Sequence, residues 1–338
     1  MTPLLHPFLV NDRFGDPALF VDFKFERRAL LFDLGDLHDI EPSKVLRLSD
    51  VFVSHAHLDH FIGFDKVLRI LLGRDKTVRL YGPAGVIDRV EHRLAGYSWN
   101  LVHRFSTDLR FTVTEVLSAS EARRADFRLK DAFRREAEGS LVLADGLVRD
   151  DETFRVKAAV LDHRIPCLAF AVQEKAHVNV WKDRVDKMRL AVGPWLRDLK
   201  RAVVRGDPED APVRVAWRQD GESKEPTLPL GRLKREVLEI VPGQKIAYVV
   251  DAIYSEDNVN RIVALARNSD ILFIEAAFAR EDAERAADRY HLTTEQAGHL
   301  GWLAGVRRLE PFHFSPRYAG QEVRLRQEVE DAFRGSGP

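Results

Sequence analysis

The sequence predicts an α/β fold, on three observations. Apolar runs of strand length recur along the chain, and several stop abruptly at histidine or aspartate; the first is Val51-Phe52-Val53, which gives way to Ser54-His55-Ala56-His57-Leu58-Asp59-His60. After His60, strand-like segments alternate with segments of helical spacing. The chain also opens on β-rich sequence, with residues 18–23 and 29–33 as two apolar runs separated by polar residues 24–28.

Composition narrows the class. With 338 residues, 45% hydrophobic and 31% charged, the chain can bury one large core or two modest ones. A formal net charge of −1 offers no global attraction to nucleic acid or membrane, so any RNA-binding surface must be a local basic patch. Cys167 is the single cysteine, which excludes intramolecular disulfides and thiolate metal clusters and fits a cytoplasmic protein. No run approaches ~18 consecutive apolar residues, and the N-terminus lacks a basic leader, so neither a membrane span nor a signal peptide is expected. The expected organisation is a single domain over residues 1–338, with a charged, partly mobile insertion at 174–235.

Each element follows from local pattern. Residues 7–35 read as two or three strands joined by turns, and Pro42-Ser43-Lys44 opens a short helical turn. Residues 50–53 read as an interior strand, 61–72 as a helix, 78–83 as a strand with its Gly-Pro stop, and 85–94 as an amphipathic helix. Residues 109–116 and 153–160 alternate like strands, whereas 120–138, rich in Arg, Ala and Glu, suggest a solvent-facing helix capped by Ser120. A further apolar strand ends at Asp162-His163. From 173 to 245 a charged, Pro-containing excursion interrupts the rhythm, with Lys182, Arg184, Lys187, Arg189, Arg197, Lys200, Arg201 and Arg205 interleaved with Trp181 and Trp195. Basic side chains among aromatics suit phosphate contact and base stacking, although a solvated helix face carries similar charges. Residues 206–229 read as a mobile loop. Strands follow at 245–250, ending in Asp251, and at 271–275, ending in Glu275, with a helix at 258–268 between them. Thr293 or Thr294 can cap the helix after His291, and residues 321–333 form a terminal amphipathic helix.

The chemistry concentrates after Val53. In an extended segment His55 and His57 point the same way and can reach one ion, while Asp59 and His60 come after the chain has begun to turn and can face a second. Imidazole and carboxylate are ligands that suit zinc and similar first-row metals. One strand-end histidine is ordinarily structural, and His92 and His103 are read as surface or packing residues. Four ligand-type residues in six positions are a different matter.

The pattern His-x-His-x-Asp-His resembles the signature of the metallo-β-lactamase superfamily, and later stretches resemble one branch of it, the ribonuclease Z family of tRNA 3′-end endonucleases. Phe32-Asp33-Leu34-Gly35 resembles an Asp-x-Gly whose Asp supports ligand geometry. Asp162-His163-Arg164-Ile165-Pro166 resembles Asp-His-x-x-Pro, with Ala169-Phe170 where the family has Gly-Tyr. Val250-Asp251-Ala252 stands at its Gly-Asp-Thr, Ile274-Glu275-Ala276 at His-Glu-Ala, and His291-Leu292-Thr293 at His-x-Thr. His313-Phe314-Ser315-Pro316-Arg317-Tyr318 resembles its His-Phe-Ser-x-Arg-Tyr ending, and residues 191–200 its Gly-Pro and Leu-Lys region.

The resemblance implies a four-layer αββα sandwich and two divalent metal ions, zinc foremost. It assigns His55, His57 and His163 to one metal, Asp59, His60 and His313 to the other, and Asp251 to both. It implies a hydroxide activated between the ions attacking an RNA phosphodiester, with Asp59 hydrogen-bonded to that nucleophile and His291, positioned by Glu275, as the non-ligand catalytic imidazole. Arg197, Lys200 and Arg201 would bind substrate, and the protein would be a homodimer. The family's N-terminal Gly-Thr-Gly loop and Pro-x-Lys-x-Arg-Asn-like segment have no clear counterpart in residues 1–35. Two hydrolase readings therefore stand: an endoribonuclease acting on RNA such as a tRNA precursor, or a hydrolase of a small phosphodiester, ester, thioester or lactone. A non-catalytic RNA-binding module with a relic site is disfavoured because every ligand position is filled.

Overall fold

The computed structural model describes residues 4–24, 26–175, 177–219 and 222–335. An eight-stranded sheet is built in chain order from β1 (Leu5–Leu9), β2 (Leu19–Phe23), β3 (Ala29–Phe32), β4 (Leu48–Phe52), β5 (Lys76–Pro83), β6 (Leu109–Val116), β7 (Glu121–Arg128) and β8 (Arg135–Val142). The strands from β3 to β6 run parallel. Parallel neighbours need crossovers, which carry α1 (Pro42–Val45), α2 (Leu58–Phe61), α3 (Phe64–Leu71) and α4 (Val86–Ala95).

The chain continues through β9 (Leu147–Asp150), β10 (Phe154–Asp162) and β11 (Pro166–Glu174). It then enters a segment of β12 (His177–Val180), α5 (Lys182–Lys187), α6 (Trp195–Arg205), β13 (Pro212–Arg214), β14 (Trp217–Gln219), β15 (Glu222–Lys224), β16 (Thr227–Pro229), α7 (Leu230–Val237) and β17 (Leu238–Val241). The last stretch holds β18 (Lys245–Val249), α8 (Glu256–Ala266), β19 (Ile271–Glu275), α9 (Ala283–Arg289), α10 (Thr294–Leu303), β20 (Leu309–Phe312) and α11 (Glu322–Arg334). A second, six-stranded sheet has the order β20-β19-β18-β11-β10-β9.

The chain divides into two compact units. The larger comprises residues 5–149 and 156–172 and the chain from Lys245 onward; the other is built from residues 150–155 and 173–244. In the larger unit the period-2 alternation of each strand sorts side chains into layers. Leu31, Val51 and Leu80 face Phe64, Val67, Leu68 and Val90 of α3 and α4 on one side. Phe32 and Phe52 face the second sheet, where their ring centroids lie 5.9 and 5.4 Å from that of Phe170. Tyr248 joins them, 5.8 Å from Phe32. On the far side Ala247, Val249 and Ile274 pack under Ile262, Leu300, Leu325 and Val329 of α8, α10 and α11. Helix, sheet, sheet, helix is the αββα order that the motif resemblance implied.

Residues 120–138 differ from expectation. They are not a helix but the antiparallel strands β7 and β8. Ala122 and Ala125 are three apart, a helical spacing, yet in the ladder with β6 they lie on opposite faces, Ala122 beside Val116 and Ala125 beside Val113. Each alanine is buried on its own face of the strand, so the spacing mimics an amphipathic helix.

The smaller unit has a core of its own, including Val185, Trp195, Leu199, Val215, Leu233 and Val237. Residues 206–229, expected to be a loop, contain two short antiparallel ladders, β13 with β16 and β14 with β15. The alternation Val213, Val215, Trp217 turns one face of this segment inward.

Candidate metal centre

The donors sit on segments that leave the strand ends of the larger unit. Ser54 to His57 continue from β4 as non-helical chain, and Asp59 and His60 fall in α2, where the chain turns back. His163 lies in the β10–β11 turn, Asp251 two residues past β18, and His313 immediately past β20. Asp33, Asp251 and His313 hold left-handed backbone, at φ 58°, 48° and 57°. Such conformations cost on the order of 1–3 kcal/mol each and persist where surrounding contacts over-determine them.

Asp33 shows how. Its N–H donates to the Phe52 carbonyl at 2.8 Å. Its carboxylate accepts from the Ser54 N–H at 2.6 Å and hydroxyl at 2.8 Å, from Tyr248 Oη at 2.8 Å and from His60 Nδ1 at 3.0 Å. The Leu34 N–H reaches the His60 carbonyl at 2.9 Å, and the Gly63 N–H returns to the Leu34 carbonyl at 2.8 Å. A Cβ on Gly63 would stand 2.4 Å from the Gly35 carbonyl oxygen, so this close approach of two backbones requires glycine. The Asp-x-Gly segment is therefore the cradle of the ligand loop.

The structure brings His55, His57, His163 and Asp251 into one group and Asp59, His60 and His313 into another, with the donor atoms of each group within 4.8 Å of one another. Asp251 joins the two. Its Oδ2 lies 3.5, 3.6 and 3.4 Å from Nε2 of His55, His60 and His163, and its Oδ1 lies 3.2 Å from Nε2 of His313. Asp59 Oδ2 is 3.5 Å from His60 Nε2 and 3.9 Å from His313 Nε2. Donors bonded to one tetrahedral ion at 2.0–2.1 Å stand roughly 3.3 Å apart, so this spacing fits a shared cation.

The hydrogen bonds fix which nitrogen faces inward. His60 Nδ1 donates to Asp33, and His163 Nδ1 donates to the Tyr290 carbonyl at 2.8 Å. Both acceptors demand N–H at Nδ1, leaving Nε2 toward the other donors. His55 Nε2, His60 Nε2 and Asp251 Oδ1 are buried with no hydrogen-bond partner. Leaving such an atom unpaired costs about 1–3 kcal/mol, and three of them on residues gathered round one carboxylate is the arrangement a cation would relieve. The residues fit divalent metal.

Electrostatics separate the members. Burial, followed by the nearby His60, pushes His55 down to about 2, so it stays a neutral donor. Burial also opposes charge on His60, but Asp251 and Asp33 outweigh it and raise its pKa well above the ordinary value. Burial alone would raise Asp59, yet His60 and His313 hold it down to about 2. His291 Nδ1 donates to the buried Glu275 at 2.8 Å, and although burial opposes its charge, Glu275 lifts its pKa to about 9. Glu275 also accepts the Ala252 N–H at 2.7 Å, tying His291 to the Asp251 loop. His291 additionally forms a donor group with Asp251 and His313.

Arg197, Lys200 and Arg201 lie on α6 in the smaller unit. Arg197 and Arg201 are exposed; Lys200 is half-buried, and burial lowers its pKa. His92 and His103 are exposed and belong to none of these groups. Sequence reasoning did not single out Ser54, Tyr248 or Asn258. Asn258 donates to the carbonyls of Asp162 and Ile253, each at 2.8 Å, and accepts the Asp162 N–H at 3.0 Å, stitching the strand before His163 to the loop after Asp251. A tyrosine inside a buried apolar strand was the one available signal, because its hydroxyl must find a partner.

Solved structures share this architecture. The short form of human tRNase Z superposes with a TM-score of 0.52 at 20% identity, covering 93% of this chain and 91% of that one. The metallo-β-lactamase-fold protein YhfI from Bacillus subtilis does so at 0.54 and 13% identity, covering 98% and 95%. The fold is the metallo-β-lactamase fold, and its donor set fits divalent metal. No protein-family model matches the sequence. Ribonuclease Z of Deinococcus radiodurans is 31% identical over 297 residues, 87% of this chain and 84% of that protein. Ribonuclease Z of Bacillus velezensis is 30% identical over 327 residues, 92% and 86% of the two chains. The chain belongs to the ribonuclease Z family.

Proposed function

We propose that the protein is a dinuclear-metal endoribonuclease that cleaves an RNA phosphodiester, with a tRNA precursor as substrate and zinc as the metal. The observation carrying this reading is Asp251, whose carboxylate reaches both donor groups, Oδ2 near His55 and His60 and Oδ1 near His313, while buried nitrogens of His55 and His60 are without hydrogen-bond partners. His55, His57 and His163 would hold one ion, Asp59, His60 and His313 the other, and Asp251 both. When bound, the two cations supply Lewis acidity that activates water and neutralises charge on the phosphoryl oxygens.

The chain's own residues do the rest. Asp59, with 43% of its side chain exposed, accepts a hydrogen bond from the attacking water and aligns it. His291 keeps its Nδ1 proton on Glu275, and with a pKa of about 9 it holds a second proton on Nε2 at neutral pH. From Nε2 it protonates the departing ribose oxygen, the general-acid step, worth about 10²–10⁴-fold. Arg197, Lys200 and Arg201 contact the RNA backbone on the smaller unit. The working form is a cytoplasmic homodimer; among the described residues no helix is long and apolar enough to cross a membrane.

The test pairs metal analysis with cleavage of a tRNA precursor and of bis-nitrophenyl phosphate, with light scattering for oligomeric state. Two equivalents of zinc and cleavage of the precursor at its 3′ extension are expected. Protein that binds no divalent metal, or that loaded with metal cleaves neither compound, ends the proposal.

A further inference from the structure

A cleft of about 410 Å³ opens from the metal centre, with Asp59, His291 and His313 in its lining. Arg285, Arg289 and Arg317 also line it. Arg317 is occupied, 3.6 Å from Asp282 and lying over the Tyr318 ring. Arg285 and Arg289 are exposed, and they lie four residues apart on α9, hence on one face. Neither is paired with a carboxylate among the described residues, and Glu284 and Asp288 of the same helix do not line the cleft. Two like charges at that spacing cost a few tenths of a kcal/mol, a cost that a bound anion would remove.

The helix is fixed relative to the chemistry. Tyr290 ends it in left-handed backbone at φ 64°, with its N–H returned to the last turn. The His291 N–H then donates to the Ala286 carbonyl at 2.9 Å. Any displacement of α9 therefore moves His291, and the two arginines stay on a helix tied to the cleft they line. The half-buried ring of Phe14, also in the lining, packs 5.5 Å from that of Phe314 and offers a face on which a base can stack.

We propose that Arg285 and Arg289 bind a phosphate adjacent to the scissile one, so that the cleft takes a strand of RNA and not an isolated phosphodiester. Guanidinium forks match phosphate oxygens in pairs, and a lone small diester leaves both of them unused. The inference rests on the phosphodiesterase reading above for the position of the scissile group.

Binding of a short phosphorothioate oligoribonucleotide, followed by fluorescence anisotropy against salt, tests it. For R285A/R289A the Kd is expected to rise at least tenfold, and the slope of log K against log salt to flatten by about 0.7, the loss of one single-strand phosphate contact. R285K/R289K is expected to restore the slope. R307A, which removes an exposed arginine paired with Asp270 elsewhere in the unit, is expected to leave both values unchanged. A double variant with wild-type Kd and slope, or an effect equalled by R307A, overturns the subsite. Wild-type protein that binds the oligonucleotide yet cleaves neither unmodified RNA nor bis-nitrophenyl phosphate sinks the phosphodiesterase reading instead.

Discussion

The two donor groups are built from the same residue types but held by opposite means. His163 of the first is oriented by a neutral acceptor, the Tyr290 carbonyl. His60 of the second is oriented by a charged one, the Asp33 carboxylate, itself saturated by Ser54 and Tyr248. The consequence shows in the direction of their pKa values: His55 and His60 are both fully buried, yet burial drives the first down and the carboxylates drive the second up. Burial alone does not decide how a histidine behaves; the charge set behind it does. His163 of the first group thus depends on a backbone carbonyl, His60 of the second on a side-chain carboxylate.

Removing the element they share should erase the contrast. Asp251→Ala is expected to lower phosphodiesterase kcat/KM by about 10³-fold. It should also make the thermal midpoint insensitive to a chelator, because neither group retains its common oxygen. A variant with wild-type metal content would show that Asp251 is not the junction. Next in size is Glu275→Gln, expected to cut kcat by about 10²-fold with little change in KM, since the amide cannot support the proton on His291. Equal loss in kcat and KM with lowered metal content would make Glu275 a strut for the Asp251 loop and not a partner of His291.

Asp33→Asn separates the halves. The amide still accepts from Ser54 but loses the charge behind His60, so one of the two metals should bind about 10–100-fold more weakly while the other keeps its affinity. Titration calorimetry reads the two sites apart. Parallel weakening of both would mean that the groups are one mechanical unit.

Much of this was legible in the sequence, and the reason is geometric. His55, Asp59, His163, Asp251 and His313 each follow an apolar run, so a strand's end announced a donor before any contact was known. What stayed hidden are the partners reached across space. Tyr248 and Asp33 are 215 positions apart and meet only because the two sheets face each other. Tyr290 acts through its carbonyl, which no side-chain pattern encodes. Residues 120–138 misled because alanines on both faces of a strand imitate a helix, and residues 206–229 because their charge masked three alternating apolar positions.

The smallest effect tests whether the first group depends on backbone placement. The nearly buried Glu328 of α11 accepts the Arg280 N–H at 3.1 Å and the Thr294 hydroxyl at 2.6 Å, while Arg324 on the same helix braces it at 3.0 Å. Those two contacts lie at either end of the segment carrying both the Tyr290 carbonyl and His291. Thr294→Val breaks one of them, a hydrogen bond to a charged group worth about 1.5 kcal/mol or more. If part of that reaches the site, kcat/KM should fall about fivefold, equivalent to roughly 1 kcal/mol in the barrier. Glu328→Gln, which keeps an acceptor oxygen, should lose less than Thr294→Val, and the double variant should lose no more than the larger single loss, because the residues share one bond. Additive losses would mean that α11 contributes stability alone. A loss confined to metal affinity would place its action on His163 through Tyr290, and a loss confined to kcat would place it on His291.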